Sequence, residues 1–386
     1  MGSVGRPVQP EGASSDAREE LIMETSGGEE IAVKGTSLIV RLPEGRSTMT
    51  TSWLNGGYRD DVSAVINHQL PAHLHGSLGG KDLPGYLGRI AGGLGLDPGR
   101  TTGLLTSASM RNAATETMSY RGVEVTAVVT AGIEVNGGRA GDPASYYQRG
   151  DGFEKVGGTI NTILLIGAHL PEHAMARSIV TASEAKACAL QELMAPSRYS
   201  CGIASGSGTD MIAVVADRTS PHLLSDPGKH SKLGEMIGRC VIEATTVALE
   251  RQSGLTPLYQ RDVLIRLERF GIDEKDIWRA AAALPGDNRR GQFLDALRQS
   301  SKDPFIVAAA ASVLHLVDEV RWGLVPENAA RRAALATMRQ VIADVQGDAP
   351  TVVDGPLSED DDILVNLTRT LAFIVKHGNG RYSGDS

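Results

Sequence analysis

Short runs of β-branched and aliphatic residues recur through the first two-thirds of the chain, bounded by Gly, Asn, Asp and Ser. They predict strands over 31–42, 48–53, 103–107, 123–133, 159–167 and 210–216. Helical spacing predicts a short helix over 60–68, opened by Asp60 and Asp61, and another over 82–96, weakened by glycines. Longer helices are expected over 171–194 and 232–251. In the first of these, Ala176, Ile179, Val180, Ser183, Ala187, Leu190 and Met194 form the stripe expected to face the core. Thr181, Glu184 and Cys188 fall on a neighbouring, more polar face. Beyond about Thr256 only helical spacing remains, over 261–270, 276–284, 291–299, 304–321, 328–345 and 361–376.

This order gives a flexible tail over 1–28, an α+β domain over 29–254 and an all-α bundle over 255–386. In the α+β part, mixed β-sheet layers should be packed by helices. No internal repeat is evident.

Composition narrows the partners. The net charge of −8 argues against the phosphate backbone of a nucleic acid as the main ligand. No apolar run is long enough for a membrane span, and the first twenty residues hold no apolar signal core. Cys188, Cys201 and Cys240 are odd in number and far apart, which fits a reducing compartment. These features predict a soluble cytoplasmic protein without nucleic-acid or membrane partners.

Candidate chemistry concentrates between residues 157 and 217. Two strand-like runs flank a long helix, and each is entered through small polar residues: Thr159 and Asn161 on one, Ser207, Thr209 and Asp210 on the other. The Gly-Ser-Gly turn before Thr209 suits either an anion nest or a plain tight turn closed by Asp210. Glu184 reads either as a solvated helix residue or as a half-buried carboxylate among small residues, fit for acid–base work. His68 reads as a pocket acid or base, or as a cap on the expected 60–68 helix. His230 precedes the 232–251 helix and could reach the same site or merely neighbour its cap. His68, His73 and His75 are close enough to ligate a metal, but their loop offers no carboxylate or thiol ligand of its own until Asp82. Cys201 is a remote nucleophile candidate. Phosphate-loop, dinucleotide, GxSxG and HExxH signatures are absent.

Six stretches, taken in order, resemble one family. They are SWLNGGYRDDVSAVINHQ (52–69), TGLLTSASMRNAA (102–114), VTAGIEVNGGRAGDPA (129–144), the long run GGTINTILLIGAHLPEHAMARSIVTASEAKACALQEL (157–193), SGSGTDMIAVV (205–215) and KHSKLGEMIGRCVIEAT (229–245). The resemblance is to the adenosylcobinamide amidohydrolases of corrinoid salvage, and it spans about residues 48–252. It implies hydrolysis of the amide that joins the corrin ring to its aminopropanol (or aminopropanol phosphate) arm, yielding adenosylcobyric acid for cobalamin synthesis. The corrinoid would be substrate, with no resident cofactor and no metal.

Amide hydrolysis needs an activated nucleophile, an oxyanion stabiliser and a proton for the amine. The resemblance assigns proton transfer to Glu184, His68 and His230, with Asp210 orienting an imidazole or a water. Asn55, Asn67, Thr106 and Thr159 would meet the amide-rich corrin rim, together with Asn161, Thr181, Ser207 and Thr209. Water attack is the expected route, with a threonine nucleophile (Thr106, Thr130 or Thr209) as the second. A non-catalytic corrinoid carrier working beside an uptake transporter, and a metallohydrolase using His68, His73 and His75, remain the competing functions.

Overall fold

The computed structural model describes residues 18–71, 82–144, 159–346 and 356–378. The chain divides into two compact units that part between Thr256 and Pro257. Among the described residues, the first unit holds three sheets. Strands β1 (Glu20–Glu24), β2 (Glu30–Lys34), β3 (Ser37–Arg41), β6 (Ala64–Gln69) and β7 (Thr101–Thr106) form a five-stranded sheet in that order. Strands β5 (Gly57–Arg59), β4 (Arg46–Thr50), β13 (Met211–Asp217), β11 (Thr159–Ile166), β9 (Val123–Gly132) and β8 (Ala114–Tyr120) form a six-stranded one. A two-stranded ribbon joins β10 (Gly137–Gly138) to β12 (Gly206–Ser207).

Three apolar layers explain how these sheets stack. Val65, Leu104, Ile163, Leu165, Met211 and Val215 pack between the two large sheets. On the outer face of the five-stranded sheet, Ile39 and Ile66 pack against Leu87 and Ile90 of helix α1 (Leu83–Gly93). On the outer face of the six-stranded sheet, Ile160, Leu164 and Val214 meet α2 (Glu172–Glu192) and α3 (Lys232–Ser253). The order is helix, sheet, sheet, helices. Each large sheet carries one parallel pair, β6 with β7 and β11 with β13. Parallel neighbours need a crossover, which α1 and α2 supply.

The second unit is helical in its described residues. Helices α4 (Val263–Glu268), α5 (Glu274–Ala282), α6 (Arg290–Ser300), α7 (Pro304–Arg321), α8 (Glu327–Gln346) and α9 (Ile363–His377) close around a core of their own. The α+β architecture with a following helical bundle agrees with the sequence pattern.

Three local expectations are corrected. The stretch expected as a 60–68 helix is strand β6. Its residues from Ala64 to His68 are all buried, so no alternation marks it, and a short apolar run does not distinguish strand from helix. Asp60 and Asp61 do not open a helix; they pair with Arg218 and Arg59. The tail expected to reach residue 28 ends earlier, because Glu20–Glu24 pairs with β2. Of the stripe expected to face the core, helix α2 fully buries only Leu190. Ala174, Ser178, Ala182, Ala185 and Ala189 are buried, whereas Ala176 and Val180 are exposed. Close packing of a helix on a sheet and on a second helix selects side chains for small size, so the apolar stripe misled.

Candidate functional site

The site grows from strand alternation. Successive side chains of a strand point to opposite faces. On β11, Ile163 and Leu165 lie between the sheets, so Thr159 and Asn161 lie there too. On β6, Val65 shares that face with Asn67, while Ile66 and His68 face α1. On β9, Val128 places Thr130 in the same layer, directly across from Asn161. On β7, Leu104 does the same for Thr106.

These residues form a chain of hydrogen bonds across the two sheets. Asn161 Nδ2 donates to Leu105 O at 2.9 Å and to Asn67 Oδ1 at 2.8 Å. Asn67 Nδ2 in turn donates to Thr130 Oγ1 at 2.8 Å. Asn67, Thr130 and Asn161 are all buried. Asn161 Oδ1 finds no hydrogen-bond partner among the described residues. Beside this chain, the Thr159 and Thr209 hydroxyls meet at 2.5 Å. Thr106 caps its own turn, accepting from Ala108 N at 3.0 Å.

Asp210 ties the turn before β13 to the start of β11. It accepts from Ile160 N and from Ser207 N, both at 3.0 Å, and from the Ser207 hydroxyl. Its counter-charge is Lys186 of α2, in direct contact with the carboxylate. Gly206 makes room for this pair, since a Cβ there would stand 2.7 Å from Lys186 Nζ. The turn is therefore a structural knot around a charged pair rather than an open nest.

Lys186 escaped the sequence reading. Its signal was present: a lysine set among Ala182, Ala185 and Ala189 on a small-residue face is either costly or paired.

Other expected site residues lie elsewhere. His68 is buried in the α1 layer, with Nδ1 2.8 Å from Ser37 Oγ and Nε2 3.2 Å from Tyr86 OH. Burial pushes its pKa down to about 4, so the imidazole is neutral near pH 7. Being on a strand, it caps no helix. Glu184 is exposed rather than half-buried, and it pairs with Lys229 at 2.6 Å. Two residues along a helix turn the chain by about 200°, which separates it from Lys186. His230 is exposed, just ahead of the Ser231 cap of α3. Thr181 donates to Pro227 O at 2.8 Å and holds the loop before α3.

Asn55 has φ 50° and donates to Pro98 O and Thr101 O, at the start of β7. Thr106 ends that strand, about 16 Å away at strand rise. His73 and His75 lie outside the described residues. Among the described residues, no group of three His, Cys, Asp or Glu side chains is placed to hold a metal.

The arrangement can recognise amides and hydroxyls. It offers two carboxamides, three threonine hydroxyls and one ion pair, most of them in the layer between the sheets. Asn67, Thr130, Asn161 and Thr209 come from four different segments of the chain, and folding brings those segments together.

Comparison with known proteins adds the identity of the fold's first unit. A protein of Methanocaldococcus jannaschii described as uncharacterised is 31% identical over 228 residues, which is 56% of this chain and 86% of that one. Two solved structures are similar at low scores. One is a Pyrococcus horikoshii protein (12% identity, 60% of this chain and 81% of that one, TM-score 0.31). The other is a Burkholderia β-aminopeptidase (13% identity, 64% and 89%, TM-score 0.29). Among the described residues, no helix is long and apolar enough to cross a membrane. Residues 22–257 match the sequence profile of one enzyme family, and this match takes in every strand from β2 to β13 together with α1 to α3. The chain belongs to the adenosylcobinamide amidohydrolase family, and membership implies a hydrolase.

Proposed function

We propose that this protein hydrolyses adenosylcobinamide at the amide linking the corrin ring to its aminopropanol arm. Water adds its oxygen to the amide carbon and the C–N bond breaks. The acid product is adenosylcobyric acid, and the amine leaves after gaining a proton. The corrinoid is substrate throughout, without a resident cofactor.

One observation carries this reading. Asn67, Thr130, Asn161 and Thr209 stand in four of the separate stretches that resemble the family; the first three join in one buried hydrogen-bond chain between the sheets, and Thr209 meets Thr159 beside it. A carboxamide is the natural partner of another carboxamide, since each supplies a donor and an acceptor. Threonine hydroxyls beside it suit an oxyanion developing on the amide carbon. The ionisable element tied to this end of the layer is the Lys186–Asp210 pair.

The deciding measurement is incubation of the full chain with adenosylcobinamide, followed by mass analysis. Adenosylcobyric acid and free aminopropanol are the expected products. Tight binding with no release of aminopropanol would instead identify a corrinoid carrier.

A further inference from the structure

We infer that Asn161 is the residue by which this site tells an amide from a carboxylate. This role rests on the proposed reaction and on the direction of one hydrogen-bond chain. Leu105 O is a backbone carbonyl and can only accept. The Asn161 atom 2.9 Å from it must therefore be Nδ2. The second hydrogen of that nitrogen points to Asn67 at 2.8 Å, so the Asn67 atom there is Oδ1. Asn67 Nδ2 then faces Thr130 Oγ1. One backbone carbonyl thus fixes the orientation of both amides: a flip of Asn161 would set acceptor against the Leu105 carbonyl, and a flip of Asn67 would set its Nδ2 donor against that of Asn161.

Both Asn161 hydrogens are committed, and Oδ1 is left over. It is an acceptor only, on a side chain that is 0% exposed, and no described residue donates to it. Buried polar atoms in native folds almost always have partners, so an orphan acceptor marks the place of a missing donor. A secondary amide supplies that donor as its N–H. A carboxylate supplies none and sets a charged oxygen against the lone pairs of Oδ1.

The consequence follows the reaction. Before cleavage, the scissile amide donates its N–H to Asn161 Oδ1, which fixes the nitrogen's orientation. After cleavage the N–H leaves with the amine, and the new carboxylate faces an acceptor. Substrate is held and acid product is rejected by the same atom.

The test compares two corrinoids that differ only at the arm position, one a primary carboxamide and one the free acid. Their dissociation constants are read from the corrin absorbance for the wild-type chain, Asn161→Ala and Asn161→Leu, the last keeping the volume if Ala fails to fold. Wild type should favour the carboxamide by about a hundredfold, and the variants by roughly threefold or less. An unchanged preference in a folded variant overturns the inference. So does a high-resolution structure with the corrinoid bound elsewhere and only a water on Oδ1. Wild-type hydrolysis with an unchanged variant preference sinks the inference and leaves the reaction standing. Preference lost in the variant, without hydrolysis by wild type, sinks the reaction and leaves the inference standing. Failure of wild type to bind either corrinoid sinks both.

Discussion

Asn67 and His68 are neighbours on one strand, both buried, and they belong to different chemistries. His68 turns toward α1, where Ser37 and Tyr86 occupy its two ring nitrogens. Asn67 turns toward the other sheet and joins a chain that ends with an unpartnered oxygen on Asn161. A single step along the strand separates a closed polar cluster from an open one. Burying a polar group is tolerable when its hydrogen bonds are made. The closed cluster therefore explains itself as structure. The open one leaves an acceptor with no donor among the described residues, and on the proposed reaction the substrate amide supplies it.

The sharpest way to break this contrast is to remove a charge at the edge of the open cluster. Lys186 and Asp210 are both nearly buried, with side chains 11% and 13% exposed. Lys186→Met leaves the carboxylate without its counter-charge, and breaking such a pair typically costs about 3–5 kcal/mol. Urea unfolding should show a loss of that size, with Lys186→Arg recovering part of it. A loss well under 1 kcal/mol would mean that Asp210 is solvated and that the knot before β13 does not hold.

The closed cluster makes a smaller prediction, one that depends on pH. His68 has a folded pKa of about 4 against about 6.5 unfolded, because burial penalises its charged form. Between those values the unfolded chain binds the extra proton, so stability rises with pH across the window. The contribution is complete above about pH 6.5 and fades as pH falls through about 4. Its full size is about 3 kcal/mol by the usual conversion. Urea unfolding at pH 7 and pH 4.5 should show a larger loss in wild type than in His68→Gln, since the carboxylates titrate alike in both. Equal losses would place His68 in contact with water and reopen it as a proton carrier.

Much of the fold was legible because it rests on local periodicity. The β11–α2–β13 unit and helices α3 and α7 follow from apolar runs of the right length. What stayed hidden depends on tertiary choice. Strand β6 is buried on both faces, and a fully buried strand has no alternation to read. The inward face of α2 was chosen for small size, so Val180 outside and Ala182 inside reverse what hydrophobicity suggests. The candidate site divides along the same line. Thr159, Asn161, Thr209 and Asp210 were legible because small polar residues entering strands are conspicuous. Lys186 was not, since its role depends on which way the helix faces. Glu184 and His68 were drawn in for their chemistry, before packing set one on the surface and the other behind the sheet.

The smallest effect is expected at Glu184, and it tests the whole placement. Its side chain is 47% exposed and its partner Lys229 is 62% exposed. Pairs so open to water contribute about 0–1 kcal/mol, because solvent already stabilises both charges. Glu184→Gln should therefore shift unfolding by no more than about 0.5 kcal/mol. On the proposed reaction, turnover of adenosylcobinamide should stay within about twofold, since among the described residues no hydrogen bond links this carboxylate to the inter-sheet cluster and a twofold change is under 1 kcal/mol of barrier. A collapse of turnover in a normally stable Glu184→Gln chain would have one reading. The proton carrier would sit on the outer face of α2, beside Lys229 and His230, and the orphan oxygen of Asn161 would be a feature of the core.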